Sequence, residues 1–226
     1  MNAIKAIFIK QLHDLPRNIS VSLIYIMFPV MAFLFGQLMG DMDLHAAMFA
    51  SIFAGTTPLI AICMTVAEDR EYKSLRFLVM AGVKPSQYLI GLSSFVLLMS
   101  SLPMVVFIWM GGFTDIYLAY FIGAAFLALV ASCILGAAIG IFAKNIQQAT
   151  AIYTPIMMLL MMLPMIAGAN ETLARIAELT FSFQVLIVSV SPEYADIPRA
   201  FMIIGINIVV LLAFFIFAYR KKGLRG

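Results

Sequence analysis

The sequence predicts an all-α integral membrane protein with six transmembrane helices. The chain has 226 residues, 64% of them hydrophobic, and its mean hydropathy is +1.06. Soluble domains are about 45–50% apolar, so a water-soluble core does not account for this composition. Six runs of about 20 apolar residues are each long enough to cross a bilayer core of about 30 Å. Residues 1–226 are therefore expected to form a single membrane domain.

An amphipathic helix over residues 1–16 is predicted to precede the spans and to lie in the membrane interface. Its apolar residues are spaced by three and four, and Pro16 ends it. The longest connections are a charged segment over residues 67–87 and an external segment over residues 168–200. The predicted spans are residues 20–39, 46–66, 88–110, 116–142, 149–167 and 201–219.

The distribution of basic residues predicts the orientation of the chain. Twelve of the 14 lysine and arginine residues fall on one side of the predicted spans, and only Arg175 and Arg199 fall on the other. Because basic residues are retained on the cytoplasmic side, both termini are expected to be cytoplasmic, in a cell membrane. No Lys, Arg, Asp or Glu lies inside a predicted span, which argues against a built-in proton relay or voltage sensor. Uphill transport would need energy from another polypeptide.

The charged segment over residues 67–87 cannot enter hydrocarbon. Its first part is expected to continue the second span into water, with Asp69 and Lys73 paired four residues apart. Ser74 is a candidate cap for a short helix through Ala81, and Gly82 occupies the position of a left-handed stop. That helix would expose an apolar strip that needs a partner, either the base of the bundle or a soluble protein. The strip consists of Leu75, Leu78 and Val79, with Phe77 nearby.

Three features of the spans each allow more than one interpretation. Thr56 and Thr57 near Pro58 either repair the helix backbone or line a polar passage. Small residues every four positions in the fourth span favour close helix packing over a binding role; they are Ala128, Ser132, Gly136 and Gly140. The fifth span is rich in methionine, which suits core or lipid-facing packing, an adaptable wall for apolar ligands, or a Cu(I) path. Its methionines are Met157, Met158, Met161, Met162 and Met165.

Two short helices are predicted within residues 168–200. The first runs over residues 170–179, and the second is an apolar stretch over residues 181–190. Ten apolar residues do not cross a bilayer, so this stretch is expected to re-enter or to lie on the external surface. Ser191-Pro192 would then turn the chain back towards the last span.

Several kinds of chemistry have no motif in this chain. No stretch fits the phosphate loop G-x-x-x-x-G-K-[ST], so no nucleotide-binding site of that type is expected. His13 and His45 are predicted on opposite sides of the membrane, which argues against a metal site built on both. The basic residues are explained by topology, so nucleic acid is not an expected partner. The chain is expected to be a non-catalytic subunit without a cofactor of its own.

The connecting segments contain four motifs: Ala67-Glu68-Asp69-Arg70-Glu71-Tyr72, Ser74-Leu75, Gly82-Val83-Lys84-Pro85-Ser86 and Ala143-Lys144-Asn145-Ile146-Gln147-Gln148-Ala149. These motifs resemble those of ABC-2 type permeases, the membrane subunits of ATP-binding-cassette exporters. The resemblance covers nearly the whole chain, although Lys73-Ser74 stands where Gly-Thr is common and residues 179–184 lack the usual Asn-Pro.

The resemblance implies a coupling helix in residues 67–87 that docks onto a separate ATPase, present in two copies that bind ATP and Mg. It also implies a second permease copy, in a homodimer or heterodimer, with the substrate path between the copies. The implied ATPase-coupling residues are Glu68, Arg70, Glu71, Ser74, Leu75, Arg76, Leu78 and Val79. The implied path-lining residues are Thr56, Thr57, Tyr153, Met157, Met161 and Met165.

These implications lead to an expected function, with two alternatives. The chain is expected to export an amphipathic or hydrophobic compound, such as a drug, an antimicrobial peptide or a lipid-like molecule. One alternative is a non-transporting membrane subunit that senses, or confers immunity to, an antimicrobial peptide. The other is a stand-alone channel or copper-handling protein. Contact with membrane lipid is expected in every case.

Overall fold

Within the described residues, six helices are long and apolar enough to cross a membrane, which indicates a multi-pass membrane protein. The computed structural model describes residues 3–16, 19–190 and 196–222, and this part of the chain contains helices and no strand. The prediction of an all-helical protein with six spans is confirmed. The spanning helices are α2 (Ile19–Met39), α3 (Met42–Glu71), α5 (Pro85–Gly111), α6 (Asp115–Phe142), α7 (Ile146–Ile166) and α10 (Ile197–Lys222).

Four shorter helices occupy the predicted connecting segments. The first, α1 (Ala3–Asp14), precedes the spans, and α4 (Ser74–Met80) follows α3. Before the last span come α8 (Glu171–Glu178) and α9 (Phe181–Val190). The bundle thus has two ends, which we call the α4 end and the α8 end. The predicted turn at Ser191-Pro192 lies outside the described residues.

Helix α3 is the central helix of the bundle. In its most apolar window 89% of the residues are buried, against 28% in α2 and α7 and 11% in α10. Small residues make this burial possible: Ala50, Ala54 and Ala61 are at most 1% exposed. Since α3 contacts most of the other helices, any change in its position affects the whole bundle.

The pairing of α3 with α6 depends on the predicted stripe of small residues. A Cβ atom added at Gly136 would lie 2.5 Å from the carbonyl oxygen of Leu59. One added at Gly140 would lie 2.9 Å from Cβ of Val66. One turn earlier along α6, Ser132 is fully buried and packs against the same helix. The stripe therefore serves close helix packing, as the sequence predicts.

At the α8 end, two short helices form a sharp bend that packs into the bundle. The axes of α8 and α9 differ by 105°, a geometry found both in broken spans and in re-entrant segments. Phe181, Val185 and Val188 of α9 are at most 3% exposed and pack among α3, α6 and α10. The hydroxyl of Ser51 on α3 donates to the carbonyl of Ser182 at 2.5 Å. These contacts hold α9 against the central helix.

At the α4 end, α1 packs along α5. Ile7 is 2% exposed and lies against Gly91, where an added Cβ would be 3.0 Å from Cβ of Ile7. The rings of Phe8 and Phe95 meet edge to face, with centroids 5.7 Å apart. Residues 3–14 are therefore helical, and the amphipathic character of this helix and its position in a membrane interface remain predictions.

Candidate functional site

The last turn of α3 carries a run of charged residues that the structure ties to several other helices. We call Asp69, Arg70 and Glu71 the charged hub. The three side chains are consecutive, so they leave the helix in different directions about 100° apart. Each one bonds to a different part of the chain, and together they join five helices at the α4 end.

Asp69 joins α3 to α1 and α5. Its carboxylate accepts a hydrogen bond from the hydroxyl of Tyr88 at 2.6 Å and one from Nζ of Lys10 at 2.9 Å. Asp69 is 6% exposed and Tyr88 is 1% exposed, so both groups are removed from water. A buried carboxylate is stable only when it is paired and hydrogen-bonded. The predicted pairing of Asp69 with Lys73 is wrong, because α3 ends at Glu71 and Lys73 has a left-handed φ of 58°.

Arg70 and Glu71 join α3 to the turn between α6 and α7. Arg70 donates a hydrogen bond from Nη1 to the carbonyl of Ile141, near the end of α6. The carboxylate of Glu71 accepts one from the backbone N–H of Ile146 at 3.0 Å, at the first residue of α7. A carboxylate at a helix N-terminus also interacts favourably with the helix dipole. The two segments that carry the sequence resemblance are therefore in direct contact.

The turn between α6 and α7 is closed by side-chain caps. Asn145 accepts a hydrogen bond from the backbone N–H of Gln148 at 2.9 Å. The Gln148 side chain in turn accepts one from the backbone N–H of Lys144 at 2.9 Å. These bonds satisfy donors at the N-terminus of α7 that have no partner within the helix. Glu71 therefore contacts a fixed turn.

Helix α4 follows the hub after two residues and ends as the sequence predicts. Gly82 has a φ of 83°, a left-handed conformation that glycine adopts without strain. The backbone N–H of Val83 donates to the carbonyl of Leu78 at 3.0 Å, which closes the helix end. The predicted stop at Gly82 is confirmed. The short link through Lys73 means that α4 cannot move far without moving the end of α3.

The apolar residues of α4 divide between the bundle and the surface, but not in the predicted way. Leu75 is 3% exposed and Leu78 is half-buried, and both pack against the core of the chain itself. Of the two partners predicted for the apolar strip, the base of the bundle is the one that covers Leu75. The exposed apolar residues are instead Tyr72, Phe77 and Met80, at 65–68%.

The other predicted coupling residues occupy several environments. Glu68 and Ser74 are half-buried, and Glu71 is exposed. Arg76 and Val79 lie within α4, and their side chains are outside the described part of the structure. Lys10 and Tyr88 were not predicted as site residues, although they bind Asp69 from 59 and 19 residues away along the chain. No local sequence pattern predicts hydrogen bonds between residues so far apart.

The predicted path-lining residues occupy different environments in the single chain. Thr56 and Thr57 are fully buried inside α3, and Thr56 donates to the carbonyl of Ile52 at 2.7 Å. This bond ties Thr56 to its own helix, whereas Oγ1 of Thr57 is buried without a hydrogen-bond partner. The rest lie on α7: Tyr153 is 9% exposed, Met157 and Met161 are half-buried, and Met165 is 57% exposed.

No protein-family model matches the sequence, and no curated protein matches it at a significant level. The charged hub, the exposed face of α4 and the motifs described above are therefore the features from which a function can be inferred.

Proposed function

We propose that this chain is the membrane subunit of an ATP-driven exporter of the ABC-2 type, and that α4 docks onto a separate ATPase. One observation carries the proposal. Tyr72, Phe77 and Met80 are exposed on and beside a short helix that follows directly from the hub. A docking surface that is mechanically joined to most of the bundle is what an energy-coupling element requires.

The exposed face of α4 supports docking of a soluble partner. Phe77 is 66% exposed and Met80 is 65% exposed, and both lie beyond the end of α3. Burying one large apolar side chain contributes about 1.5–3 kcal/mol. An exposed apolar patch outside the spans is a candidate site for binding another protein. The basic residues of the same segment favour the cytoplasmic side, where an ATPase operates.

The charged hub supplies a route from α4 to the spans. Movement of α4 would pull on the end of α3 through Tyr72 and Lys73. Asp69 would pass that movement to α1 and α5, and Arg70 and Glu71 would pass it to α6 and α7. The buried bonds of Asp69 would hold the helices together most firmly, because a hydrogen bond to a charged group contributes about 1.5–3 kcal/mol when it is buried. The bonds of half-buried Arg70 and exposed Glu71 would contribute less.

The remaining parts of the proposal follow from the resemblance. Two ATPase copies would bind ATP and Mg, and a second permease copy would complete the path in a cell membrane with both termini cytoplasmic. Met157, Met161 and Met165 of α7, the first two half-buried and the third exposed, would then line the path between copies. Methionine adapts to varied apolar shapes, which suits an amphipathic or hydrophobic substrate.

Affinity purification of the tagged chain from its native membranes tests the proposal. We expect a nucleotide-binding ATPase to co-purify with the wild-type chain. Phe77→Asp should reduce its recovery at least about tenfold, because one buried aromatic contact is lost and a charge is placed in the interface. Leu179→Asp is the matched control, since Leu179 is 67% exposed at the α8 end.

Equal recovery of the ATPase with Phe77→Asp and with Leu179→Asp would contradict the docking role of α4. Reproducible absence of any ATPase would contradict the exporter framework. If the ATPase co-purifies and hydrolyses ATP while reconstituted vesicles move no candidate substrate, the sensing or immunity role replaces export.

A further inference from the structure

An apolar groove of about 620 Å³ lies between α2 and α5. Ile26 and Val30 contribute to its α2 wall, and Leu102 and Val106 contribute to its α5 wall. These four side chains are 40–59% exposed, so the groove opens to the surroundings of the bundle. Its described lining contains no member of the charged hub and no predicted path-lining residue. The groove is therefore a separate feature of the chain, and its size is typical of a ligand site.

The described lining of the groove offers no charge and few polar groups. The hydroxyl of Ser22 is already used, because it donates a hydrogen bond to the carbonyl of Leu15 at 2.6 Å. The hydroxyl of Tyr25 is buried, so a molecule in the groove does not reach it. Burying a polar group without a hydrogen bond is unfavourable. A molecule that fits this groove is therefore apolar over the length that it buries.

The groove is about as long as one leaflet of a bilayer is deep. At about 1.5 Å per residue, the α2 wall from Ser22 to Leu34 is about 18 Å long, and the α5 wall from Met99 to Met110 is about 16 Å long. The hydrocarbon core of a bilayer is about 30 Å thick, so one leaflet occupies about 15 Å. A spanning helix of a partner is about twice as long as the groove, whereas one acyl chain matches it.

The side chains of the groove also suit an acyl chain better than a helix. Helices in membranes pack closely where small residues let their backbones approach, as Gly136 and Gly140 do on α6. The described lining holds no glycine, alanine or threonine, and Ser22 is its one serine. Bulky residues such as Phe33 and Met99 keep another helix backbone at a distance. A hydrocarbon chain is thin enough to pass between them.

Trp109 marks the end of the groove at which the polar head of a lipid belongs. It is the only tryptophan of the chain, it lines the groove, and it is 74% exposed. Helix α5 ends two residues later at Gly111, and Gly112 has a left-handed φ of 59°. Tryptophan is enriched at membrane–water interfaces, where its ring contacts hydrocarbon and its N–H contacts polar groups. The groove therefore runs from the interface at the α8 end into the hydrocarbon.

We propose that this groove holds one acyl chain of a phospholipid from the leaflet at the α8 end. The polar head lies beside Trp109, and the chain runs between α2 and α5 towards Tyr25, past Pro29 and Pro103. The site is formed within a single chain, so it holds whether or not α4 docks onto an ATPase.

Tryptophan fluorescence tests the proposal, because bromine on a lipid chain quenches a tryptophan that it contacts. The purified full-length chain in excess maltoside detergent is titrated with phosphatidylcholine that carries bromine near the carbonyl end of one acyl chain. We expect quenching of Trp109 that saturates at a small mole fraction of lipid and is reversed by the same lipid without bromine. Bromine near the methyl end of the chain should quench less, because that end lies away from Trp109.

One substitution on the wall opposite Trp109 locates the site. Val30→Phe narrows the groove and should raise the lipid concentration for half-maximal quenching about tenfold, because several methylene contacts are lost. Val105→Phe is the matched control, since Val105 is exposed on α5 and is not among the described lining residues. It should bind lipid as the wild-type chain does. If Val30→Phe does not fold, Val106→Phe replaces it with the same expectation.

Three results would overturn the proposal. The first is quenching that rises in proportion to added lipid, is not reversed by unbrominated lipid and is equal in Val30→Phe and the wild-type chain. The second is stronger quenching by bromine near the methyl end, which would contradict the position of the polar head. The third is a dimer that shows no quenching by lipid and that Val30→Phe dissociates, which would assign the groove to a second copy of this chain.

Discussion

The middle of α3 and its charged end are held by different kinds of interaction. In the middle, α6 approaches so closely that Gly136 lies against the backbone of Leu59, and Ser132 donates a hydrogen bond to the carbonyl of Gly55 at 2.8 Å. At the end, charged side chains reach out to separate helices. In the middle of α3, helix packing is determined by how closely the surfaces fit. At its end, packing is determined by hydrogen bonds between specific partners. Added volume should therefore damage the first, and loss of a partner should damage the second.

The largest expected effect is that of added volume in the middle. Gly136→Ala should lower the free energy of unfolding by about 3 kcal/mol, because the new Cβ meets backbone that cannot rotate away. Thermal unfolding in detergent, followed by circular dichroism, measures this. Gly205→Ala is the matched control, since nothing lies within 4 Å of the added atom. Similar melting temperatures for the two variants would contradict shape-specified packing of α3 on α6.

Removal of the hub carboxylate should have the next largest effect. Asp69→Ala leaves the buried hydroxyl of Tyr88 and the amine of Lys10 without their partner. We expect a loss of about 2 kcal/mol, less than for a fully buried pair, because the Lys10 side chain is 39% exposed. Asp14→Ala removes the exposed partner of the same lysine and should cost less than about 0.5 kcal/mol. An equal loss of unfolding free energy in both variants would show that Asp69 is not the main partner of Lys10 and Tyr88.

A smaller effect is expected for the bond to the end of α6. Arg70→Met keeps most of the apolar stem but removes the hydrogen bond to the carbonyl of Ile141. The expected loss is about 1 kcal/mol in the unfolding free energy. Arg175→Met is a suitable control because its ion pair with Glu171 is exposed, at 76% and 80% for the two side chains. Arg175→Met should leave the unfolding free energy almost unchanged. A loss as large as that of Arg70→Met would contradict a stabilising role for the Arg70 bond in the charged hub.

The smallest effect is expected at the exposed member of the hub. Glu71→Gln keeps an acceptor oxygen for Ile146 but removes the charge at the N-terminus of α7. We expect a loss of about 0.5 kcal/mol at low salt, and less at high salt because the charge interaction is screened. Unfolding at two ionic strengths measures both. A salt-independent loss above about 2 kcal/mol would mean that Glu71 has a partner of another kind.

Local sequence signals predicted the spans, the small-residue stripe and the stop at Gly82, because each depends on hydrophobic length, residue volume or backbone conformation. Hydrogen bonds between residues that are far apart in the sequence have no such local signal. Asp69 binds Lys10 and Tyr88, although its nearest helical partner in the sequence is Lys73. For α4, the sequence likewise showed the helical spacing of the apolar residues but not which of them face the bundle. Leu75 therefore turned out to pack inward, while Phe77 faces out.

Site-specific photocrosslinking in native membranes tests the docking role of α4 most directly. A photoreactive amino acid in place of Phe77 should crosslink the chain to a soluble nucleotide-binding protein. The same amino acid in place of Leu179, equally exposed at the α8 end, should not give that product. Crosslinks from position 77 only to lipid or to a second copy of this chain, or the same products from both positions, would contradict α4 as the coupling element.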